Sequence, residues 1–237
     1  EQDPSNTTAL AELANFYERD RNWEELAGVL TEQVDTIVDD KERSQALQKL
    51  AQIQGDRLKN EEAAADAWRR VLEIDPSDRR AQENLKKKLL ALGRWDDLEV
   101  LYEESGKWDE FIRLLESQES REKEPETKIG LLIKVADLWE NKKSQSDRAA
   151  RAYEKILKID ELHLGAASAL TPIYEEAGNA KGLASVLEVK LHHSEDGDES
   201  FELLGKVGEL YETKLRKPDL ALERFLQALK LIPNNYD

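Results

Sequence analysis

The sequence has 237 residues and a formal charge of −16, with 36% charged and 39% hydrophobic residues and no cysteine. Ordinary globular domains hold about 25% charged and about 45 to 50% apolar residues, so this balance suits a thin body with a ribbon-like core. It excludes disulfides, thiolate metal sites and cysteine nucleophiles, and acidic residues spread along the whole chain argue against nucleic acid, which needs a dominant basic face.

Only 11 Gly and 6 Pro, among abundant Ala, Leu, Glu, Lys, Arg and Gln, predict helix nearly everywhere. Thirteen helices are expected in chain order, over 7–20, 23–38, 41–58, 61–74, 78–92, 95–105, 108–119, 126–141, 147–159, 163–177, 180–192, 199–215 and 218–231. Gly93 and Gly178 stand just past apolar-periodic stretches, where a left-handed residue ends a helix, and Gly106 marks a further break. Pro76, Pro125, Pro218 and Pro233 fall at or near turns. Pro172 lies inside a helix, removes a donor there and predicts a kink.

No apolar run approaches the roughly 18 residues of a membrane span, the longest being Gly130-Leu131-Leu132-Ile133. The chain therefore reads as soluble, with the cytoplasm placed ahead of the periplasm and the compartment left open. It begins with Glu and contains no Met, which predicts an excised or processed piece of a longer chain.

An internal period organises these helices. Turns recur at Asp3-Pro4, Asp75-Pro76, Asp160-Glu161 and Ile232-Pro233, spaced by 72, 85 and 72 residues. Apolar positions keep that arithmetic in Leu13, Leu85 and Leu170, in Leu47, Leu132 and Leu204, and in Leu50, Val135 and Val207. Ala64, Ala149 and Ala221 are each followed four residues later by Trp68, Tyr153 and Phe225, and Leu72, Leu157 and Leu229 close those helices. The middle unit has 13 extra residues. That is also the distance from Trp95-Asp96-Asp97-Leu98 to Trp108-Asp109-Glu110-Phe111, two copies of the motif seen at Trp23-Glu24-Glu25-Leu26, so a short extra helix is inserted or duplicated there.

Ala64-x3-Trp68 with Pro76, Ala149-x3-Tyr153, and Ala221-x3-Phe225 with Pro233 resemble the second-helix signature of the tetratricopeptide repeat family. First helices supply Leu13-Ala14 with Tyr17, Val135-Ala136 with Trp139, Leu170 with Tyr174, and Val207-Gly208 with Tyr211. The small residue admits a neighbouring helix and the aromatic on the same face fills the gap. The 72-residue pair, and one extra residue at the turn of the hairpins with the best second helix, depart from the 34-residue pattern; paired units of this kind resemble long bacterial members of the family. The resemblance implies one all-α, right-handed solenoid over 1–237, with six hairpins at about 7–38, 41–74, 78–119 including the extra helix, 126–159, 163–192 and 199–231.

In that family, first helices line a concave face and second helices form its back. Matching the pattern places Asn15, Lys49, Arg80, Asn84, Lys87, Lys134 and Lys206 toward the groove. Arg80, Asn84 and Lys87, spaced by four and three, share a helical face and form a basic strip that would attract an acidic or carboxylate-ended peptide. Each of these is also readable as an ordinary solvated helix residue, and the recurring lysine at 49, 134 and 206 as a product of duplication. The family's carboxylate clamp is incomplete, since Ala11 and Lys49 stand where it wants Lys and Asn, so chaperone-tail recognition is not expected.

No catalytic constellation or cofactor motif emerges. His163, His192 and His193 read as helix-end or surface residues, Ser194 to Glu199 as a solvated turn lacking EF-hand spacing, and Trp23, Trp95 and Trp108 as staples at hairpin tips. Carboxylates alternate with Lys and Arg as on exposed ion-paired faces. The expectation is a non-enzymatic, cofactor-free scaffold that binds a protein or peptide, without nucleic acid or membrane insertion. The alternatives are a structural strut in a longer repeat protein, with end-to-end self-association, or the regulatory arm of an attached enzyme.

Overall fold

The computed structural model describes residues 4–231. Thirteen α-helices fill them: α1 (Pro4–Arg19), α2 (Trp23–Thr36), α3 (Asp40–Gln52), α4 (Glu61–Ile74), α5 (Arg79–Ala91), α6 (Trp95–Ser105), α7 (Trp108–Arg121), α8 (Pro125–Asp137), α9 (Ser146–Ile159), α10 (Leu164–Glu176), α11 (Ala180–His193), α12 (Gly197–Glu209) and α13 (Pro218–Leu231). No strand occurs among the described residues. The turns expected at Asp3 and at Ile232-Pro233 lie outside them.

Local chemistry sets the helix boundaries. Asp39, Asn60, Asp78, His163, Asn179 and Asp196 each accept a backbone N–H from the first turn of the helix that follows. His163 does so with Nδ1, 3.0 Å from the Ala166 amide, and Asp196 receives the amides of Asp198 and Glu199, so the acidic stretch 194–199 builds a helix start. At the other ends, Gly93, Gly106 and Gly178 have φ of +65°, the left-handed conformation that glycine adopts without a Cβ clash. Helix α10 runs unbroken across Pro172, whose ring is exposed.

The extra residue of the alternate hairpins is absorbed inside the helix. Helices α3, α8 and α12 end in π turns at Ile53–Arg57, Leu138–Lys142 and Leu210–Lys214, closed by bonds from the amides of Leu58, Lys143 and Leu215 to the carbonyls five residues earlier. Lys59, Ser144 and Arg216 then take positive φ without being glycine. Both features recur at 85 and 72 residues, the spacing of the core positions.

The chain divides into two compact units between Gly106 and Lys107. In the first, α1 packs on α2, α2 on α3, α3 on α4, α4 on α5 and α5 on α6; in the second, α7 packs on α8 and the succession continues to α13. The place that α2 fills alone, against both α1 and α3, is thus shared: α6 takes the partner of the preceding first helix and α7 that of the following one. The hairpin expected over 78–119 is divided at this point, and Gly106 is the break between the two copies.

Each unit has its own core. Leu26, Leu47, Ala64, Trp68, Leu85 and Leu98 are almost fully buried in the first. In the second, Ala150, Ala167, Leu170, Tyr174, Val186 and Val189 form one cluster and Leu187, Leu203 and Val207 another, with Leu183 packed against both. Gly208 stands where Ala51 and Ala136 stand in the earlier copies, and a methyl built there would come within 2.5 Å of the Phe225 ring. Gly208→Ala is therefore expected to destabilise the chain by about 1 to 3 kcal/mol through overpacking, measured by chemical unfolding; an unchanged midpoint would show that the ring yields freely.

Charged residues pair within helices, as Arg43 with Asp40 at 2.7 Å and Arg69 with Asp66 at 3.6 Å, and also between them. Lys49 reaches Glu18 at 2.6 Å, Arg70 reaches Asp35 at 2.7 Å, Lys88 reaches Glu61 at 2.8 Å, Lys143 reaches Asp109 at 3.0 Å and Arg224 reaches Glu188 at 2.8 Å. Partners lie 27 to 36 residues apart because either the next helix or the one after it brings its side chains alongside. Glu119, 5% exposed, sits between Lys128 at 3.4 Å and Lys155 at 3.0 Å and so ties α7 to α8 and α9. The tryptophans at the tips are half-buried, and Arg57 covers Trp23 at 4.9 Å as Lys142 covers Trp108 at 4.8 Å, 85 residues on.

Candidate binding surface

In the first unit, Asn15 on α1 and Lys49 on α3 line one groove of about 820 Å³. Its walls mix Ala11, Leu30 and Val38 with Gln33, Asp39 and Gln45, an amphipathic lining open to solvent. Asn15 is exposed; Lys49 is half-buried and its ammonium is held by Glu18, so it braces α3 against α1 as well as facing the groove.

Arg80, Asn84 and Lys87 share α5, as their spacing requires, but they are not equivalent. Arg80 and Lys87 are exposed and neither guanidinium nor ammonium has an ion-pair partner among the described residues. Asn84 is half-buried and donates its amide to the Arg80 carbonyl at 2.8 Å, which turns it back onto its own helix. The neighbours of Lys87 are engaged: Lys86 lies 4.6 Å from the centre of the Tyr102 ring, and Lys88 binds Glu61. A run of three lysines therefore offers one outward cation.

In the second unit, Lys134 is half-buried on α8 and Lys206 is exposed on α12. They keep the repeat position of Lys49. Tyrosines in this unit meet carboxylates: burial, and then the bond from its hydroxyl to Glu154 at 2.9 Å, pushes Tyr174 well above the ordinary tyrosine range. Burial and then the charge of Glu188 raise Tyr211, and burial and then Glu140 raise Tyr153. These hydroxyls are donors that lock neighbouring helices, since an ionised phenol beside a carboxylate would be repelled.

Sequence reasoning passed over the cations of the second helices, Arg113, Arg148 and Arg151, which converge on a cavity of the second unit. The available signal was their departure from the internal repeat. Among the described residues no group of three or more His, Asp or Glu side chains is placed to hold a metal ion. No helix there is long and apolar enough to cross a membrane.

This architecture defines a class, the helix-hairpin repeat protein. A family model described as tetratricopeptide repeat matches residues 9–44, which span the α1–α2 hairpin and the start of α3. The match covers the first hairpin alone, and helix hairpins recur in both units. No curated protein sequence matches it. Among solved structures it is similar to MamA, with 12% identity over 95% of this chain and 91% of that one and a TM-score of 0.31. PilF of Pseudomonas aeruginosa gives 16% identity over 98% and 94%, TM-score 0.33, and YrrB, a tetratricopeptide protein described as having an unusual peptide-binding site, gives 14% over 88% and 95%, TM-score 0.33. Overlap at this level transfers no function.

Proposed function

We propose that the chain is a non-catalytic protein–protein interaction scaffold that holds an extended segment of a partner along its first helices. The observation that carries this reading is the pair Arg80 and Lys87, exposed and without an ion-pair partner among the described residues, while Lys86 and Lys88 beside Lys87 are engaged by the Tyr102 ring and by Glu61. Asn15 and Lys49 supply a second contact region in the same unit, and Lys134 and Lys206 are the lysines at the repeat position of Lys49 within the other. The partner segment is acidic, with charge serving encounter more than strength.

The test is affinity capture under crosslinking, comparing the natural chain with Arg80→Glu/Lys87→Glu. The doubly reversed chain is expected to lose the partner and to keep its helical circular dichroism. Equal recovery of every captured protein by both would remove these residues from the binding surface.

A second reading, assembly through the outer helices, is favoured by the exposed stripe Leu222, Leu226 and Leu229 on α13 and by Leu13 and Phe16 on α1. Leu222 and Leu229 stand where Ala150 and Leu157 pack against α10 and α11. Copies of the chain joined head to tail would show a mass that rises with concentration in sedimentation, and Leu226→Glu would abolish the rise.

A further inference from the structure

The second unit holds a cavity of about 310 Å³ between α7 and α9, with α8 beneath. Its floor is apolar, formed by the buried side chains of Ile112, Leu132, Val135 and Trp139. Its rim is cationic. Arg113 comes from α7 and Arg148 and Arg151 from α9, all three exposed. Lys155 and Asp109 also border it, but Lys155 is held by Glu119 and Asp109 by Lys143, which leaves Glu116 as the uncommitted acid.

Three guanidiniums around one apolar floor are not the ordinary outcome for this chain. It carries 51 acidic against 35 basic side chains, yet none of the three arginines has a carboxylate partner among the described residues. Duplication does not explain them either. The positions 85 residues earlier hold Gly28, Ala63 and Asp66, and those 72 residues later hold Ser185, Leu220 and Glu223. The cluster belongs to this one copy of the repeat. Arg148 is already fixed, its guanidinium 4.3 Å from the centre of the Trp139 ring, so less side-chain freedom is lost when it receives an anion.

We propose that this pocket is a binding site for an acidic segment of a partner protein, in which an apolar side chain is flanked by aspartate or glutamate. The apolar residue enters over Ile112, Leu132 and Val135, and the flanking carboxylates meet the arginine rim, whose planar forks can each donate two parallel hydrogen bonds to a carboxylate. None of the residues assigned to the first-helix surface lines this cavity, so the two sites stand or fall separately.

The probe is a fluorescein-labelled peptide with one leucine between glutamates, titrated by fluorescence anisotropy, with a lysine-for-glutamate peptide and a phosphoserine-for-glutamate peptide alongside. The glutamate peptide is expected to bind the natural chain, to weaken with added salt, and to lose at least about tenfold in affinity, about 1.4 kcal/mol, on Arg113→Glu/Arg151→Glu. It should bind Arg80→Glu/Lys87→Glu undiminished. Glu116→Gln, which removes the acid from the rim without touching the arginines, should tighten binding, and this holds the proposal to account even where the double reversal does not fold. The proposal is overturned by absence of binding to the natural chain, by undiminished binding to the Arg113/Arg151 variant, or by no gain with Glu116→Gln. Loss confined to the Arg80/Lys87 variant, or a requirement for phosphoserine, overturns it equally.

Discussion

Replacing Trp68 by alanine is expected to cost the chain about 3 to 5 kcal/mol. The indole is 2% exposed and sits on α4, which packs against both α3 and α5, so its removal leaves a cavity bounded by three helices. Those helices have little room to collapse. Arg69 and Arg70, the next two residues, are bonded to Asp97 of α6 and Asp35 of α2, at 2.8 Å and 2.7 Å, and hold α4 in place on both sides. Chemical unfolding followed by circular dichroism should show the loss, together with a lower midpoint for the first unit than for the second, because repeat arrays lose cooperativity when one interface is weakened. Phe225, at the equivalent position of α13, is half-buried and its truncation should cost less. A change below about 1 kcal/mol for Trp68→Ala would mean that the indole does not bridge the three helices.

Leu170→Ala is expected to cost about 2 to 5 kcal/mol, and Leu13→Ala, at the same place in the repeat, about 0.5 kcal/mol or less. Leu170 is fully buried in the cluster of Ala150, Ala167, Tyr174, Val186 and Val189, where α9, α10 and α11 meet. Leu13 lies on α1 and is 43% exposed, for no described helix precedes α1 to cover that face. The pair is measured in one background by equilibrium unfolding. Equal losses would show that α1 meets a partner in solution, and would favour head-to-tail assembly over an isolated chain.

Much of the helical plan was legible because core periodicity and turn chemistry repeat together. Ala64 with Trp68 and Ala149 with Tyr153 announce the same local event, a small residue admitting a helix and an aromatic closing the gap, whatever surrounds it. Gly93, Gly106 and Gly178 announce helix ends for an equally local reason, since only the backbone conformation at that residue matters. The π turns were visible only as an unexplained extra residue. Whether such a residue widens a helix or lengthens a loop depends on which side chains must still reach the neighbouring helix, and Trp139, buried within the second π turn, shows that reach was retained.

The candidate site was legible in part. Spacing put Arg80, Asn84 and Lys87 on one face, but it did not reveal that Asn84 bonds to its own helix or that Lys49 is held by Glu18. Ion pairs across some thirty residues are fixed by which helix comes alongside. Of the three arginines at the second unit's cavity, Arg148 and Arg151 are three residues apart on α9, but Arg113 on α7 lies 35 residues before Arg148 and no local pattern joins it to them.

By itself the sequence determined the helices, their caps, the repeat and the residues able to face a neighbour, since each follows from chemistry within a few positions or from recurrence at 72 and 85 residues. Only the tertiary structure decided which of those residues are covered, which cations are spent and where a cavity opens. Burial and charge pairing belong to the space between helices, and that space is set by how whole elements stack, not by any one of them.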